Sequence, residues 1–213
     1  MKDMSETDYI LGVKIERDRS NKLLSLSQET YIKKILERFR MNSCKSMDTP
    51  IERGEILSLE MCPKTENEKE DMSRVPYSSV VGSLMYAMMC TRPDICYVVG
   101  LVSRYQSNPG RDHWKAVKRI FRYLKGTADY SLCYSGNDLY LRGYTDADWA
   151  GDRNDRKSTS SYAFLLNGGA MSWKSKKQTC IALSTMEAEF VDCASTVQEA
   201  VWLKRFFEHL NIT

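Results

Sequence analysis

Apolar and polar positions change period several times along the chain, and each change marks an element. Residues 9–15 and 23–26 are partly alternating apolar runs on either side of the polar stretch 17–22. That pattern predicts two strands joined by a polar turn. Ile32, Ile35, Leu36 and Phe39 then recur at helical spacing behind Ser27, a fitting N-cap, and predict a helix over 28–39. Between Asp48 and Arg74 the pattern dissolves. Pro50, Gly54, Pro63 and the charge-dense 66–71 predict a surface linker. A helix resumes over 76–89, with Tyr77, Val80, Val81, Leu84 and Met88 on one side and the small Gly82, Ser83 and Ala87 suited to close packing. Thr91-Arg92-Pro93-Asp94 reads as a stop and a new start, with proline in the first turn. The helix that follows carries Ile95, Val98, Val99 and Val102 to about Tyr105. A third helix, 111–125, sorts by face: Trp114, Val117, Ile120, Phe121 and Leu124 lie opposite Arg111, Lys115, Lys118, Arg122 and Lys125 at about 100° per residue.

Beyond Gly126 and Thr127 the period switches to alternation. Runs at 130–134 and 139–144 flank Ser135-Gly-Asn137 and predict a hairpin; runs at 162–166 and 170–173 flank Asn167-Gly-Gly169, a strong tight-turn signature. A helix from Ser184 to about Leu210 closes the series, with an apolar stripe of Met186, Phe190, Cys193, Val197 and Val201. The elements predict an α+β fold: a short hairpin plus a helix, a helical connection, then antiparallel strands and a long helix.

Charge and cysteine usage narrow the setting. A net charge of +3 permits a phosphate-bearing partner without demanding one. On the 111–125 helix only Asp112 interrupts the basic stripe. A merely soluble face usually mixes signs, whereas a same-sign stripe can track phosphates; a solvated face is the alternative. Seven cysteines with no C-x-x-C and only two histidines argue against a zinc site. They point to reduced thiols in a cytoplasmic or nuclear setting. No apolar run has the length that spans a bilayer, and the first residues lack a signal-peptide core, so no membrane partner is expected.

The candidate chemistry sits in Gly143-Tyr-Thr-Asp146-Ala-Asp148-Trp-Ala-Gly-Asp152 and Ser184-Thr-Met-Glu187-Ala-Glu189-Phe190. The first reads as a strand end that delivers a carboxylate; the second opens a helix with another. Paired carboxylates around magnesium are a common route to phosphodiester cleavage. By itself Asp146 also reads as a strand-end cap or turn acid, and Glu187 and Glu189 lie on opposite flanks of the apolar stripe, so periodicity does not choose between them. Lys174, Lys176 and Lys177, expected after the third strand, suit either a nucleic-acid backbone or a lysine-rich edge that discourages sheet pairing. Trp149 and Trp173 read as packing residues.

A strand ending in aspartate, two further antiparallel strands and a helix bearing glutamate resemble the start of a ribonuclease H domain. An ordered series extends the likeness over almost the whole chain. It runs from Tyr9-Ile-Leu-Gly-Val-Lys-Ile15, Pro76-Tyr-Ser-Ser-Val-Val-Gly82 and Thr91-Arg-Pro-Asp-Ile95 through Asn108-Pro-Gly110, His113-Trp114 and Arg122-Tyr-Leu-Lys-Gly-Thr127. It continues through Tyr144-Thr-Asp-Ala-Asp-Trp-Ala-Gly-Asp152 and Ser172-Trp-Lys-Ser-Lys-Lys-Gln178 to Ala188-Glu-Phe190. In this order the blocks resemble the Pol polyprotein of copia-type LTR retrotransposons. The resemblance implies a reverse transcriptase palm/thumb tail over 1–48, with the Leu11-Gly12 hairpin where such polymerases grip the primer. A linker over 49–75, a helical connection over 76–127 and a partial ribonuclease H-like domain over 128–213 follow. It further implies metal-dependent hydrolysis of RNA in RNA–DNA hybrids, with water as nucleophile and Mg2+ or Mn2+ as cofactor. Asp146 and Glu189 would be the catalytic metal ligands, the latter because Glu189-Phe190-Val191 fits the family pattern; Glu187 is then a first-turn acid favoured by the helix dipole. The implied partners are nucleic acid and the remainder of the polyprotein. Two positions depart from the pattern: Asp192 where alanine is usual and Ser161 where glycine is usual. The polymerase aspartates would precede residue 1 and the later acids would follow Thr213, so the expectation is a fragment inactive alone. A non-catalytic nucleic-acid-binding remnant using the 111–125 stripe, or a pseudogene product, are the alternatives.

Overall fold

A computed structural model describes residues 6–136 and 139–211. The chain divides into two compact units: Met1–Leu139 with Asn167–Gly169, and Tyr140–Leu166 with Ala170–Thr213.

In the first unit, strands β1 (Tyr9–Ile10), β2 (Val13–Asp18), β3 (Leu23–Ser27) and β4 (Ser131–Ser135) form one sheet in that order. The first apolar run is split because Leu11 and Gly12 both take positive φ, 49° and 79°, the geometry of a two-residue hairpin turn. β2 and β3 form the predicted hairpin, with Ile15 opposite Leu26. Helices α1 (Glu29–Arg38), α2 (Glu66–Ser73), α3 (Tyr77–Cys90), α4 (Cys96–Ser103) and α5 (Arg111–Gly126) follow. Ser27 accepts the Glu29 N–H at 3.2 Å, so it serves the start of α1 from within the strand. The core joins Ile32, Ile35 and Leu36 of α1 to Val80, Val81 and Leu84 of α3, Val98, Val99 and Val102 of α4, and Val117, Ile120, Phe121 and Leu124 of α5. Each such side chain is worth about 1.5–3 kcal/mol on burial. Nearly all of these positions are the apolar faces that helical spacing singled out.

The stretch read as a linker is more ordered than its composition suggests. Thr65 and Glu68 cap α2 reciprocally: Thr65 Oγ1 accepts the Glu68 N–H at 3.3 Å and Glu68 Oε2 accepts the Thr65 N–H at 3.1 Å. Leu57 and Met72 anchor the stretch to the unit, both buried. The capping signature was present in the sequence, but it precedes a charged run with little apolar period, so amphipathicity did not reveal the helix.

The second unit holds β5 (Arg142–Asp148), β6 (Thr159–Leu166) and β7 (Gly169–Lys177), in that order in the sheet, and helix α6 (Thr185–His209). Asn167 and Gly168 make the expected turn between β6 and β7, with φ of 49° and 77°. The hairpin expected between 130–134 and 139–144 does not form: β4 pairs with β3, setting Leu132 opposite Leu26, and β5 pairs with β6. Its turn residue Asn137 lies outside the described residues. Alternation marks a strand but not its neighbour, and here each strand has a partner elsewhere. Lys174, Lys176 and Lys177, expected beyond the third strand, belong to β7 itself.

The face of α6 that meets the sheet also differs from what its apolar stripe would suggest. Ala188, Asp192, Thr196 and Leu203 are buried, while Met186 and Phe190 are 77% and 75% exposed and Val197 and Val201 are 53% and 44% exposed. α6 rests mainly on β5 and less on β6. Small side chains let the helix approach closely, and Thr145 of β5 hydrogen-bonds Asp192 and Thr196.

Candidate functional site

β5 presents Thr145 and Asp146 at successive positions, so their side chains leave opposite faces of the sheet. Thr145 donates its hydroxyl to Asp192 Oδ2 and lies 2.8 Å from the Thr196 hydroxyl, so its face is the one covered by α6. Asp146, paired in register with Ser161 of β6, therefore projects from the other face. It is exposed and its carboxylate makes no hydrogen bond or ion pair among the described residues.

Glu189 is exposed in the second turn of α6. At about 100° per residue it stands only about 60° from Asp192, beside the row that faces the sheet, whereas Glu187 stands about 140° away. Glu187 is moreover occupied: its carboxylate accepts the Leu183 N–H at 2.7 Å while Ser184 Oγ accepts the Glu187 N–H at 3.2 Å. It closes the helix N-terminus, which supports Glu189 as the free acid of the pair.

Asp192 is the second buried acid of this unit, fully enclosed, with Oδ1 lacking a hydrogen-bond partner. Alanine would leave Thr145 and Thr196 to pair with each other; aspartate makes the helix–sheet contact a polar one. Gln178 continues it, donating to Ser160 Oγ and to the Ala188 carbonyl, both at 2.9 Å.

Asp152 organises the turn between β5 and β6. It accepts the backbone N–H groups of Asn154 and Asp155 at 2.9 and 3.2 Å and pairs with Lys177 at 3.2 Å. Lys177 also reaches Asp155 at 3.1 Å. Burial alone would push the Asp152 carboxyl up; the two N–H donors and the ammonium outweigh it and hold the group at about 2. The folded value lies below the unfolded one, so the stabilisation is complete above the unfolded value of about 3.9 and is lost as pH falls from there through about 2. Urea titrations should show that loss, about 2 kcal/mol, in wild type and its absence in Asp152→Asn.

The basic residues fare unevenly as a phosphate track. Arg122 donates to the Lys45 carbonyl at 2.8 Å and Lys125 to the Cys44 carbonyl at 2.5 Å, clamping that segment onto α5. Arg111 pairs with Asp71, Lys115 with Asp112, and Lys118 lies 6.0 Å over the Trp114 ring. Lys177 is held by its two aspartates, and Lys174 lies 6.0 Å over the Tyr162 ring; Lys174 and Lys176 are exposed. Helical periodicity showed the stripe, but the chain segment it grips is distant in sequence and left no local signal.

Magnesium takes oxygen ligands and accepts one or two carboxylates when it keeps its waters. Asp146 and Glu189 have that chemistry, and neither carboxylate is engaged in a hydrogen bond or ion pair among the described residues. Among the described residues no group of three or more His, Cys, Asp or Glu could hold a metal ion. The pair does not make a metal centre by itself. No helix among the described residues is long and apolar enough to cross a membrane.

An α+β chain with three successive strands, an acid at the end of the first and another in the following helix, is the class that fold and site define. The chain's relatives include retrovirus-related Pol polyproteins of transposons, of each of which it spans only a small part. It is 54% identical over its whole length to the retrovirus-related Pol polyprotein from transposon TNT 1-94 of Nicotiana tabacum, of which it spans 16%. It is 38% identical, again over its whole length, to the corresponding polyprotein from transposon RE2 of Arabidopsis thaliana, of which it spans 14%. An uncharacterized mitochondrial protein of Arabidopsis thaliana is 32% identical over 95% of this chain and 80% of its own length. No family model and no solved structure matches the chain.

Proposed function

We propose that this segment serves nucleic-acid processing in a copia-type retrotransposon, and that its second unit is the opening part of a ribonuclease H-type domain. The observation that carries the reading is the succession β5, β6, β7, α6, with Asp146 near the end of the first strand and Glu189 early in the helix. In this reading the two acids are metal ligands for hydrolysis of RNA in RNA–DNA hybrids, and other parts of a polyprotein supply the remaining acids. The chain alone is inactive, in keeping with the absence, among the described residues, of a group of three or more His, Cys, Asp or Glu that could hold a metal ion. The first unit then belongs to the end of the polymerase and its helical connection, working in the cytoplasm or nucleus. A binding-only remnant finds less support, because the α5 cations are engaged within the protein.

The test transplants this segment into the tobacco polyprotein in place of its counterpart. With magnesium or manganese, the chimera should cleave the RNA of a labelled hybrid, Asp146→Asn and Glu189→Gln should each reduce cleavage to background, and the 213-residue chain alone should give none. Undiminished cleavage by the Asp146→Asn chimera would sink the reading; loss with Glu187→Gln but not Glu189→Gln would move the second ligand.

A further inference from the structure

Helix α6 carries an exposed row of apolar side chains on the side away from the sheet. Met186, Phe190, Cys193, Val197 and Val201 follow one another at intervals of four, three, four and four residues. Such intervals make a seam along one side of a helix, the arrangement with which helices pair. All five are exposed, Met186 and Phe190 by three quarters or more. A cleft of about 340 Å³ widens the N-terminal end of the seam, lined mainly by Ile181, Ala182, Met186, Phe190 and Val191. Soluble proteins seldom leave a contiguous apolar surface of this kind uncovered.

Charge along the same helix says what covers it. The first half, 185–197, contains Glu187 and Glu189, both exposed, and no lysine or arginine. The last two turns present exposed Lys204 and Arg205 and one exposed acid, Glu208, 3.9 Å from Lys204; Arg205 makes no ion pair among the described residues. One end of the seam is therefore acidic and the other carries a small net positive charge, so an antiparallel copy of the same helix is its complement and a parallel copy is not.

We propose that two copies of this chain associate through the outward faces of α6, antiparallel about a two-fold axis near Thr196. In that register Glu187 lies level with Arg205 of the second copy, and Glu189 lies within one residue of the level of Lys204. Symmetry repeats both pairs. Val201 of the second copy comes level with Val191, at the mouth of the apolar cleft. The interface is isologous and closed, so association stops at two. The apolar seam provides the affinity, and the terminal charges set direction and register.

Sedimentation equilibrium of the full 213-residue chain, from about 1 to about 100 µM, tests this. A reversible monomer–dimer equilibrium is expected. Phe190→Glu and Val197→Glu should each weaken it at least about tenfold with unchanged circular dichroism, because both side chains are exposed and the fold does not use them. Lys204→Glu with Arg205→Glu should weaken it as well, and adding Glu187→Lys with Glu189→Lys to that variant should restore it. A monomer throughout the range, a dimer indifferent to both seam variants, or open-ended aggregation would overturn the pairing. Failure of the fourfold charge exchange to restore association would overturn the antiparallel register.

Discussion

Replacing Arg92 by alanine is expected to cost the first unit about 3 kcal/mol, because a buried guanidinium, the donor to the Thr127 carbonyl and the cation of a partly exposed carboxylate are lost together. The guanidinium is 2% exposed. Its Nε and Nη2 grip both oxygens of Asp94, at 3.0 and 2.7 Å, and Nη1 donates to the Thr127 carbonyl at 2.9 Å. Thr127 follows the last residue of α5, so the positive charge also sits where the helix dipole welcomes it. The rings of Tyr123 and Tyr130 lie 5.5 and 5.9 Å from the guanidinium carbon, and the Tyr123 hydroxyl donates to Asp94 at 2.7 Å. Removing the arginine leaves a carboxylate without its cation and an α5 terminus without its donor. Arg92→Lys keeps the charge but not the fork that reaches Asp94 and Thr127 together, and should also destabilise, by less. Urea denaturation of both variants measures this. A loss under about 1 kcal/mol for Arg92→Ala would show that the network is spectator to stability.

Gly110→Ala should be comparably damaging, about 3 kcal/mol, the upper end of overpacking costs. A Cβ at this position would lie 1.7 Å from the Met61 carbonyl oxygen, and backbone cannot move aside as a side-chain tip can. The clash would also reach His113, whose Nδ1 accepts the Gly110 N–H at 2.9 Å. Its Nε2 then carries the proton and donates to the Ser58 carbonyl at 3.1 Å, while the ring stacks on Tyr105 at 3.9 Å. Gly110, His113 and Tyr105 thus hold the 58–62 stretch against the start of α5. Gly54→Ala is the contrasting control: a Cβ there meets nothing within 4 Å, and only its positive φ of 78° opposes the change. It should cost no more than about 1 kcal/mol. Thermal unfolding of the pair separates steric collision from backbone strain.

These sites show where sequence reading succeeds and where it stops. The Asn108-Pro-Gly110 break and the Thr91-Arg92-Pro93-Asp94 boundary were visible as punctuation between helices, because proline and glycine act locally. That Arg92 closes on a threonine 35 residues away was not visible, since nothing within one turn of Arg92 announces Thr127. The same holds for Asp152. Its place in a polar turn was plain, and its ion pair with Lys177 of β7 was not.

By itself, the sequence determined the elements. Apolar period placed α1, α3, α4, α5 and α6 and the strands, because side-chain spacing on a helix or strand is fixed by backbone geometry. It also marked Asp146 at a strand end and Glu187 and Glu189 at a helix start. Tertiary structure decided which faces and which strands meet. It paired β4 with β3 and turned the small and polar row of α6 toward the sheet. The physical reason is that amphipathicity says a face will be covered but not by what. Thr145 reaches Asp192 and Thr196 only when the chain brings β5 and α6 together, across some fifty residues that no local pattern spans.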